Sequence, residues 1–442
     1  MKKYIALLLV LALALTLLTS CELMVPGPTE RPPIGPSGEP APTETPVPLP
    51  PAGPALPVFV PAEYDPRYDD DPNFMNDQFA QNNMCATTDT VYFAYQSSKT
   101  GEMHIETIYF LDKATGYVGP LCGKPECLHD NEDCNACIYS ARSFGLSVYD
   151  GRLYWMERPY LGLYRMRIWS VALDGSDRRL VLEQDFEPLQ NMSFTGLFHR
   201  GYFYLLGHYR VVTNGEANEH ICLVAWPLKE DSEARIILDM PLGLFMPYFG
   251  IQAYGDGVYI LVEGDYDADL NGKLWLLRWN TATQELETFY AGKCLYSSVP
   301  YIAVTDDGWF IYTYKDELFR FDFESGVLEE LASPEPISAR YNDLEYYGST
   351  LSANLIVMDG LMEDGVLAVL VQNRNGTILL DQTYQLGTGL AERYTAFSCF
   401  GRDETNLYLS NNAMTKVVVI AVALDGSGAE VLFEWDNETG AH

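Results

Sequence analysis

The most regular feature of the sequence is a polar turn followed by a run rich in aromatic and β-branched residues. The turn contains Asp or Gly, and the run has the length and side-chain types of a buried β-strand. Copies of this turn–strand repeat lie about 52 residues apart on average, which is the spacing of a repeat architecture. The seven copies are Thr88 to Phe93, Tyr149 to Trp155, His199 to Tyr204, Gly255 to Ile260, Asp306 to Ile311, Glu363 to Ala368 and Arg402 to Tyr408.

Most copies are followed by a further strand, a tight turn and another strand. Four such strands are Ile168 to Leu173, Leu274 to Trp279, Leu318 to Phe323 and Val417 to Leu424. Short strands with Gly and Asp turns at this period predict an all-β fold, a β-propeller of about seven blades, and six or eight blades would also fit the spacing. A β-sandwich would not repeat one phrase seven times, and a β-helix has a shorter period.

The repeats also carry a family resemblance. The Asp-Gly-x-x-Tyr phrase and the Ala-Leu-Asp-Gly-Ser turns at residues 172–176 and 423–427 resemble the TolB-like, WD40-like propellers found in many uncharacterised bacterial lipoproteins. The resemblance covers nearly the whole domain after the N-terminal region. Because it is made of structural residues, it implies fold and location rather than an activity.

The N-terminus has the pattern of an export signal. Lys2 and Lys3 precede an uncharged apolar run from Tyr4 to Leu18, which is too short to span a bilayer comfortably. The run ends in Leu18-Thr19-Ser20-Cys21, which resembles the lipobox of bacterial lipoproteins. We therefore expect residues 1–20 to be a signal peptide and Cys21 to be the lipidated N-terminus of the mature chain, on the extracytoplasmic face of the cell membrane.

A proline-rich segment follows the lipidation site. Residues 25–61 hold 14 of the 26 prolines and almost no large apolar side chain, so they cannot bury enough surface to fold. We expect residues 21–74 to be a disordered, lipid-anchored linker in extended polyproline conformation, and residues 75–442 to be the propeller domain.

The charge balance limits the partners. With 28 Lys and Arg against 61 Asp and Glu, the formal net charge is -33. Such an acidic surface disfavours nucleic acid and anionic lipid, while cations, cationic partners and neutral ligands such as glycans remain compatible with it.

Five side chains that could bind a metal are concentrated in one short stretch. They are Cys122, Cys127, His129, Cys134 and Cys137. The gaps between successive members of this set are four, one, four and two residues. Their types and spacing permit a Zn²⁺ site made of three or four thiolates, with or without the histidine. Export favours disulfides instead, since the chain has eight cysteines besides the lipidated one. We expect disulfides here and keep zinc as the alternative.

An acidic stretch at residues 265–272 offers a candidate calcium site. Its candidate ligands are Asp265, Asp267, Asp269 and Asn271. The alternation of oxygen-bearing residues before a glycine resembles the opening of a calcium loop. Counted from Asp267, however, the twelfth position is Arg278, where an EF-hand needs a glutamate. We favour an acidic hairpin with an Asn-Gly turn and keep calcium as the alternative.

Catalytic signatures are absent from the sequence, which has no Gly-x-Ser-x-Gly elbow, paired-histidine zinc helix or phosphate loop. We therefore expect a non-catalytic binding or sensing module that recognises a glycan, a peptide or a partner protein on a propeller face. The alternative is a propeller enzyme, a glycoside hydrolase or lyase that acts on extracellular glycans, which would need a pair of carboxylates.

Overall fold

The computed structural model describes most of the chain from residue 74 to residue 436. The described residues are 74–76, 84–100, 103–140, 142–158, 165–186, 192–213, 216–229, 232–242, 247–266, 272–294, 301–306, 308–313, 315–341, 344–352, 355–362, 365–373, 375–386, 397–413 and 416–436. Residues 1–73 lie outside this described part of the chain. The signal peptide, the lipidated Cys21 and the linker therefore stay predictions.

Seven antiparallel sheets follow one another along the chain, and each contains four strands in sequence order. The first strands of successive sheets lie side by side, except that a short additional strand separates those of the second and third sheets, and the first strand of the last sheet lies beside that of the first. The structure therefore confirms an all-β propeller with seven blades. Within the described residues, no helix is long and apolar enough to cross a membrane.

The strands, numbered along the chain, have the following bounds. One short strand, β1 (Phe74–Asn76), precedes the blades. Blade 1 contains β2 (Met84–Ala86), β3 (Thr90–Thr100), β4 (Met103–Asp112), β5 (Val118–Pro120) and β6 (Cys137–Ser140). Blade 2 contains β7 (Arg142–Tyr149), β8 (Arg152–Arg158), β9 (Arg165–Ala172) and β10 (Arg179–Asp185). Blade 3 contains β11 (Ser193–His199), β12 (Tyr202–Thr213), β13 (Glu216–Pro227) and β14 (Arg235–Pro241).

The second half of the ring has the same plan. Blade 4 contains β15 (Tyr248–Tyr254), β16 (Gly257–Gly264), β17 (Lys273–Asn280) and β18 (Glu285–Lys293). Blade 5 contains β19 (Tyr301–Thr305), β20 (Gly308–Tyr312), β21 (Leu318–Asp322) and β22 (Val327–Glu330), and the short helix α1 (Ile337–Arg340) follows it. Blade 6 contains β23 (Leu344–Ser352), β24 (Leu355–Met362), β25 (Val366–Asn373) and β26 (Ile378–Gln385). Blade 7 contains β27 (Ser398–Arg402), β28 (Asn406–Ala413), β29 (Lys416–Ala423) and β30 (Ala429–Asp436).

The apolar character of a strand follows its position within the blade. The second strand of blade 4, β16, is buried at every residue, because neighbouring blades cover both faces of its sheet. The fourth strand of the same blade, β18, has exposed residues along its length, because it forms the outer edge. Among the described residues the buried side chains form seven clusters, one at each seam between adjacent blades.

Six of the seven turn–strand copies lie at the turn between the first and second strands of a blade. The copy at Glu363 to Ala368 is also a turn followed by a strand, but Gly365 lies between the second and third strands of blade 6, β24 and β25. The strand β25 is nearly as buried as a second strand, since neighbouring blades cover it too. In the sequence, an acidic and glycine-containing turn before this third strand therefore looks like the turn before a second strand.

The short strand β1 was not predicted. It pairs antiparallel with β11 on the edge opposite β12, with Phe74 opposite Leu197 and Asn76 opposite Thr195. It also contacts β7, the first strand of blade 2. Blade 3 thus gains a fifth strand on its inner edge.

The seam between blades 7 and 1 joins the two ends of the propeller. Within the described residues, the sheets of blades 7 and 1 have no strand in common. Lys113 Nζ lies 3.3 Å from Asp403 Oδ2 and 3.8 Å from the centre of the Tyr408 ring. The ring centres of Phe93 and Phe433 are 4.8 Å apart. Side chains, and not a shared strand, hold this seam.

Asp403→Asn should destabilise the protein by about 2 kcal/mol at neutral pH, because Asp403 is mostly buried beside Lys113. Burial opposes ionisation of Asp403, but hydrogen bonds from the Tyr408 hydroxyl and from the backbone N–H groups of Thr405 and Asn406 outweigh it and hold its pKa well below its usual range. A lowered pKa stabilises the folded state above a pH of about 4, and this contribution is lost as the pH falls further.

Urea unfolding of wild type and Asp403→Asn between about pH 3 and pH 7 measures this difference, which should shrink at the acidic end. The control is Glu404→Gln, which changes an exposed acidic residue of the same turn. An Asp403 effect that is constant across this pH range would contradict the prediction.

Candidate metal centre

The cysteine stretch interrupts the outer strand of blade 1. Strands β5 and β6 pair with the same edge of β4, at Tyr109 opposite Pro120 and at Thr107 opposite Cys137. The residues between β5 and β6 leave the sheet as one loop, 121–136. Both ends of this loop hydrogen-bond the backbone of Ile108, at 2.8 Å each. The loop is therefore fixed to one point on β4.

Four of the five predicted side chains converge within this loop. The possible donor atoms of Cys122, Cys127, His129 and Cys134 all lie within 4.8 Å of one another. His129 Nδ1 is 3.3 Å from Cys134 Sγ. The fourth cysteine side chain, that of Cys137, is buried and donates its S–H to the His129 carbonyl at 3.1 Å. Three sulfur atoms and one imidazole nitrogen thus form a set of four possible metal ligands. Cys137 lies beside this set and is not part of it.

The ionisation of the thiols depends on their mutual contacts. Burial raises the pKa of Cys127 to about 11. The hydrogen bond between Cys134 and Cys137, together with burial, raises the pKa of Cys134, and the same hydrogen bond lowers that of Cys137. A thiol whose pKa is raised stays protonated at neutral pH unless a cation takes the place of the proton.

The loop packs against a turn of blade 2. The carbonyl of Gly175 accepts hydrogen bonds from Asn135 Nδ2 at 2.8 Å and from the Gly123 N–H at 3.1 Å. Gly175 has a φ of +79°, and a Cβ there would lie 2.8 Å from the backbone nitrogen of Cys122. Only glycine combines this backbone conformation with such a close approach. The Asp-Gly-Ser turn is therefore part of the site.

Arg178 holds the loop from the same side. Its Nη1 donates to the carbonyls of Cys134 and Cys137 at 2.9 and 2.7 Å. Its guanidinium lies 4.4 Å from the Trp169 ring centre, and its Nη2 is 3.9 Å from Glu157 Oε1. The guanidinium thereby joins two carbonyls of blade 1 to an aromatic and acidic pocket of blade 2.

Glu157 is the buried acid of that pocket. Its carboxylate accepts hydrogen bonds from the indole N–H groups of Trp155 and Trp169, at 3.1 and 2.8 Å. Burial raises its pKa, and Arg178 and the two indoles oppose that shift. Both tryptophans lie in strands predicted from the sequence, but the strand pattern gives no signal for the contacts of Glu157, Arg178 and Gly175.

The structure does not show the disulfides expected from export, since no two of the eight cysteines in the described residues are joined by a disulfide. These cysteines are Cys85, Cys122, Cys127, Cys134, Cys137, Cys222, Cys294 and Cys399. The disulfide prediction assumed bonded pairs of sulfur atoms in this loop. In the structure, three sulfur atoms lie instead within 4.8 Å of one another and of an imidazole nitrogen.

The structure describes one of the four candidate calcium ligands. Asp265 Oδ2 forms an ion pair with Lys273 Nζ at 2.6 Å, across the base of the β16–β17 hairpin. Asp267, Asp269 and Asn271 lie outside the described residues. The lysine beside Asp265 is consistent with the acidic hairpin, and calcium binding stays a prediction.

This chain is similar in fold, but not in sequence, to several proteins of known structure. No protein-family model matches the chain, and no curated protein sequence matches it either. The structure is similar to the acylaminoacyl peptidase of Pyrococcus horikoshii, with a TM-score of 0.47 and 11% identity over 83% of this chain and 54% of that one. This chain therefore spans about half the length of the peptidase.

Two further solved structures are similar over most of their length. The β-propeller domain of the Trilobed protease from Pyrococcus furiosus has a TM-score of 0.46 and 10% identity, over 86% of this chain and 99% of that one. An oligogalacturonate lyase in complex with manganese has a TM-score of 0.39 and 13% identity, over 76% and 94%. Similarity at this level carries no activity over to this chain.

Arg178→Met should destabilise the protein by about 3 kcal/mol, because it removes two hydrogen bonds and leaves the buried Glu157 without its cation. The matched control is Arg179→Met, which removes the neighbouring, mostly exposed arginine and its surface ion pair with Asp177. That control should cost less than about 1 kcal/mol.

Denaturant unfolding of the two single variants and of Arg178→Met combined with Glu157→Gln gives the comparison. Neutralising Glu157 should recover part of the loss, because the partner charge is then no longer buried alone. Equal effects of the two arginine variants would show that Arg178 does not hold the loop.

Proposed function

We propose that this chain is an extracytoplasmic binding protein, anchored to the cell membrane by lipid on Cys21, that recognises a glycan, a peptide or a partner protein with one face of its propeller. The observation that carries the proposal is a hairpin of blade 3. Its strands β12 and β13 have 12 residues each, whereas β16 and β17 of the next blade have 8 each. At ~3.3 Å per residue, the hairpin extends about 13 Å further.

The hairpin belongs to the more variable face of the ring. In an antiparallel blade the turns between strands one and two and between strands three and four share one face, and the turn between strands two and three lies on the other. On the first face the turns are tight and capped by their own side chains, as where Asp174 and Asp425 accept the N–H groups of Ser176 and Ser427. The long hairpin is on the opposite face.

One side of the long hairpin carries an aromatic and polar group suited to recognition. Asp239 Oδ1 accepts the Tyr209 hydroxyl at 3.1 Å and lies 3.0 Å from His220 Nδ1. The Tyr209 and His220 rings are 5.3 Å apart, and the Asp239 side chain is 44% exposed. Partly exposed rings next to a hydrogen-bonding carboxylate can stack on a sugar or hydrogen-bond a peptide.

The other side of the hairpin is held rigidly. Glu219 is almost fully buried, and it accepts Arg210 Nε at 2.7 Å and lies 3.1 Å from His208 Nε2. The Arg210 side chain remains 59% exposed. A buried carboxylate with two partners on the facing strand ties β12 to β13 near the end of the hairpin, which favours one arrangement of the exposed side chains around it.

The strands that line the channel support binding over glycoside cleavage. Among the seven first strands the single acidic residue is Glu345, on β23, within the part of the chain that the structure describes. Both retaining and inverting glycosidases need two carboxylates. The channel-lining strands therefore do not provide such a pair.

Binding can be tested by screening the full-length protein in detergent against glycan and peptide arrays. For any ligand found, Tyr209→Phe and Asp239→Ala should each weaken binding about tenfold, or about 1.4 kcal/mol, because each removes a hydrogen-bonding group and leaves the Tyr209 ring packed against the core. The control is Tyr117→Ala, since Tyr117 is 61% exposed and lies on the opposite face. Unchanged affinity in both hairpin variants would reject this surface, and cleavage of a bound glycan would reject the non-catalytic role.

The anchor has a separate test. Cells that express the protein with a clickable fatty acid should label the wild type and the Cys222→Ser control, in which a buried blade 3 cysteine is changed. Cys21→Ala should lose the label, because a thiol at the new N-terminus is needed to accept the lipid. Label that persists in Cys21→Ala would reject the anchor and leave the binding surface untouched.

A further inference from the structure

We propose that Cys122, Cys127, His129 and Cys134 bind one structural Zn²⁺ ion, which fastens the outer edge of blade 1 to blade 2. The donor geometry is the first argument. A tetrahedral zinc with Zn–S distances of about 2.3 Å places neighbouring donor atoms about 3.5–3.8 Å apart. The four donors already lie within 4.8 Å of one another. Small side-chain movements bring them onto one ion.

His129 distinguishes the metal from disulfides. Its ring nitrogen lies among the sulfur atoms, 3.3 Å from Cys134 Sγ. Its backbone has a φ of +56°, a left-handed conformation that costs free energy in a residue with a side chain. Disulfide pairing would use only the cysteines and leave the imidazole and its strained backbone without a role. A zinc ion uses all four donors and leaves no open position, as in structural sites.

The surroundings suit the charge of such a centre. Three thiolates and a neutral imidazole around Zn²⁺ carry a net charge of -1. The Ala136 N–H points at Cys134 Sγ at 3.4 Å, and the guanidinium of Arg178 is fixed on the carbonyls of Cys134 and Cys137. Backbone donors and a nearby cation of this kind stabilise metal-bound thiolates.

The position of the loop gives the ion its role. Leu121, Cys134 and Ala136 are buried in the cluster between blades 1 and 2, together with Leu153 and Trp155. A loop of this length supplies few apolar side chains of its own, so the metal would hold it in the shape that Gly175 and Arg178 contact. Loss of the ion should loosen both sides of this seam and leave distant blades unchanged.

The metal is tested on full-length protein purified from membranes in detergent without chelators. Elemental analysis should find about one zinc per chain in the wild type and in Cys137→Ser, and less than a tenth of that in Cys127→Ser. Cobalt exchanged for the zinc should give the visible absorption of a tetrahedral thiolate site. Metal-free protein whose residues 120–140 resist alkylation until reduced would overturn the proposal in favour of disulfides. Equal zinc in wild type and Cys127→Ser would overturn the assigned ligands.

The role at the seam is tested by hydrogen exchange before and after chelation. Removing the ion should speed exchange at least tenfold in residues 121–136 and 172–178, and leave blade 5 at residues 308–322 unchanged. Chelation should also make three thiols alkylatable without reductant. If zinc is released while exchange at 172–178 stays the same, the ion is bound but does not fasten the two blades.

Discussion

Each blade of this propeller has apolar side chains on both faces of its sheet, so each needs a neighbour on both sides. This need for cover on both faces is clearest in the strands β16 and β25, in which almost every residue is buried. Burial of apolar surface stabilises a fold by ~25 cal/mol per Å², and a single sheet cannot provide that burial for itself. The seven clusters at the seams are the result. A closed ring satisfies the demand for every blade.

The same demand explains how much of the fold could be predicted. Strands covered on both faces need aromatic and β-branched residues after a tight turn, and this pattern is local, so the strands around Trp155, Trp169 and Ile260 were correctly predicted. The pattern does not distinguish a second strand from a third, so the copy at Gly365 resembles the other six although it precedes a third strand. It also carries no signal for β1, whose backbone pairs with residues about 120 positions away.

The candidate metal centre was predictable in its composition but not in its arrangement. The cysteines and His129 stand out in the sequence because of their spacing. Their separation into four donors and Cys137 depends on how the loop turns between two fixed ends on Ile108. Arg178 and Glu157 lie further along the chain, and a buried arginine has no sequence pattern that ties it to a distant loop. Disulfides were predicted because exported proteins reach an oxidising environment. The structure places an imidazole among the thiols.

The two special features of the molecule both lie where neighbouring blades constrain the chain least. The fourth strand of a blade faces solvent along one edge, so blade 1 can open it into a loop without leaving a seam unfilled. The turn between the second and third strands of a blade projects from one face of the ring, so blade 3 can lengthen β12 and β13. A propeller thus tolerates variation in the outer strands of its blades and in the turns that project from its faces. Propellers of this kind can differ in what they bind at these places.

A chain made from its N-terminus completes blade 1 about 260 residues before blade 7 begins. One face of blade 1 is covered early, because blade 2 follows directly and its turn meets the cysteine loop. The other face, with Val91, Phe93 and Leu111, waits for Val419 and Phe433 at the far end of the chain. Until then it is an apolar surface open to water and to other chains. Competition between ring closure and aggregation therefore depends on blade 7, however well the first blades have folded.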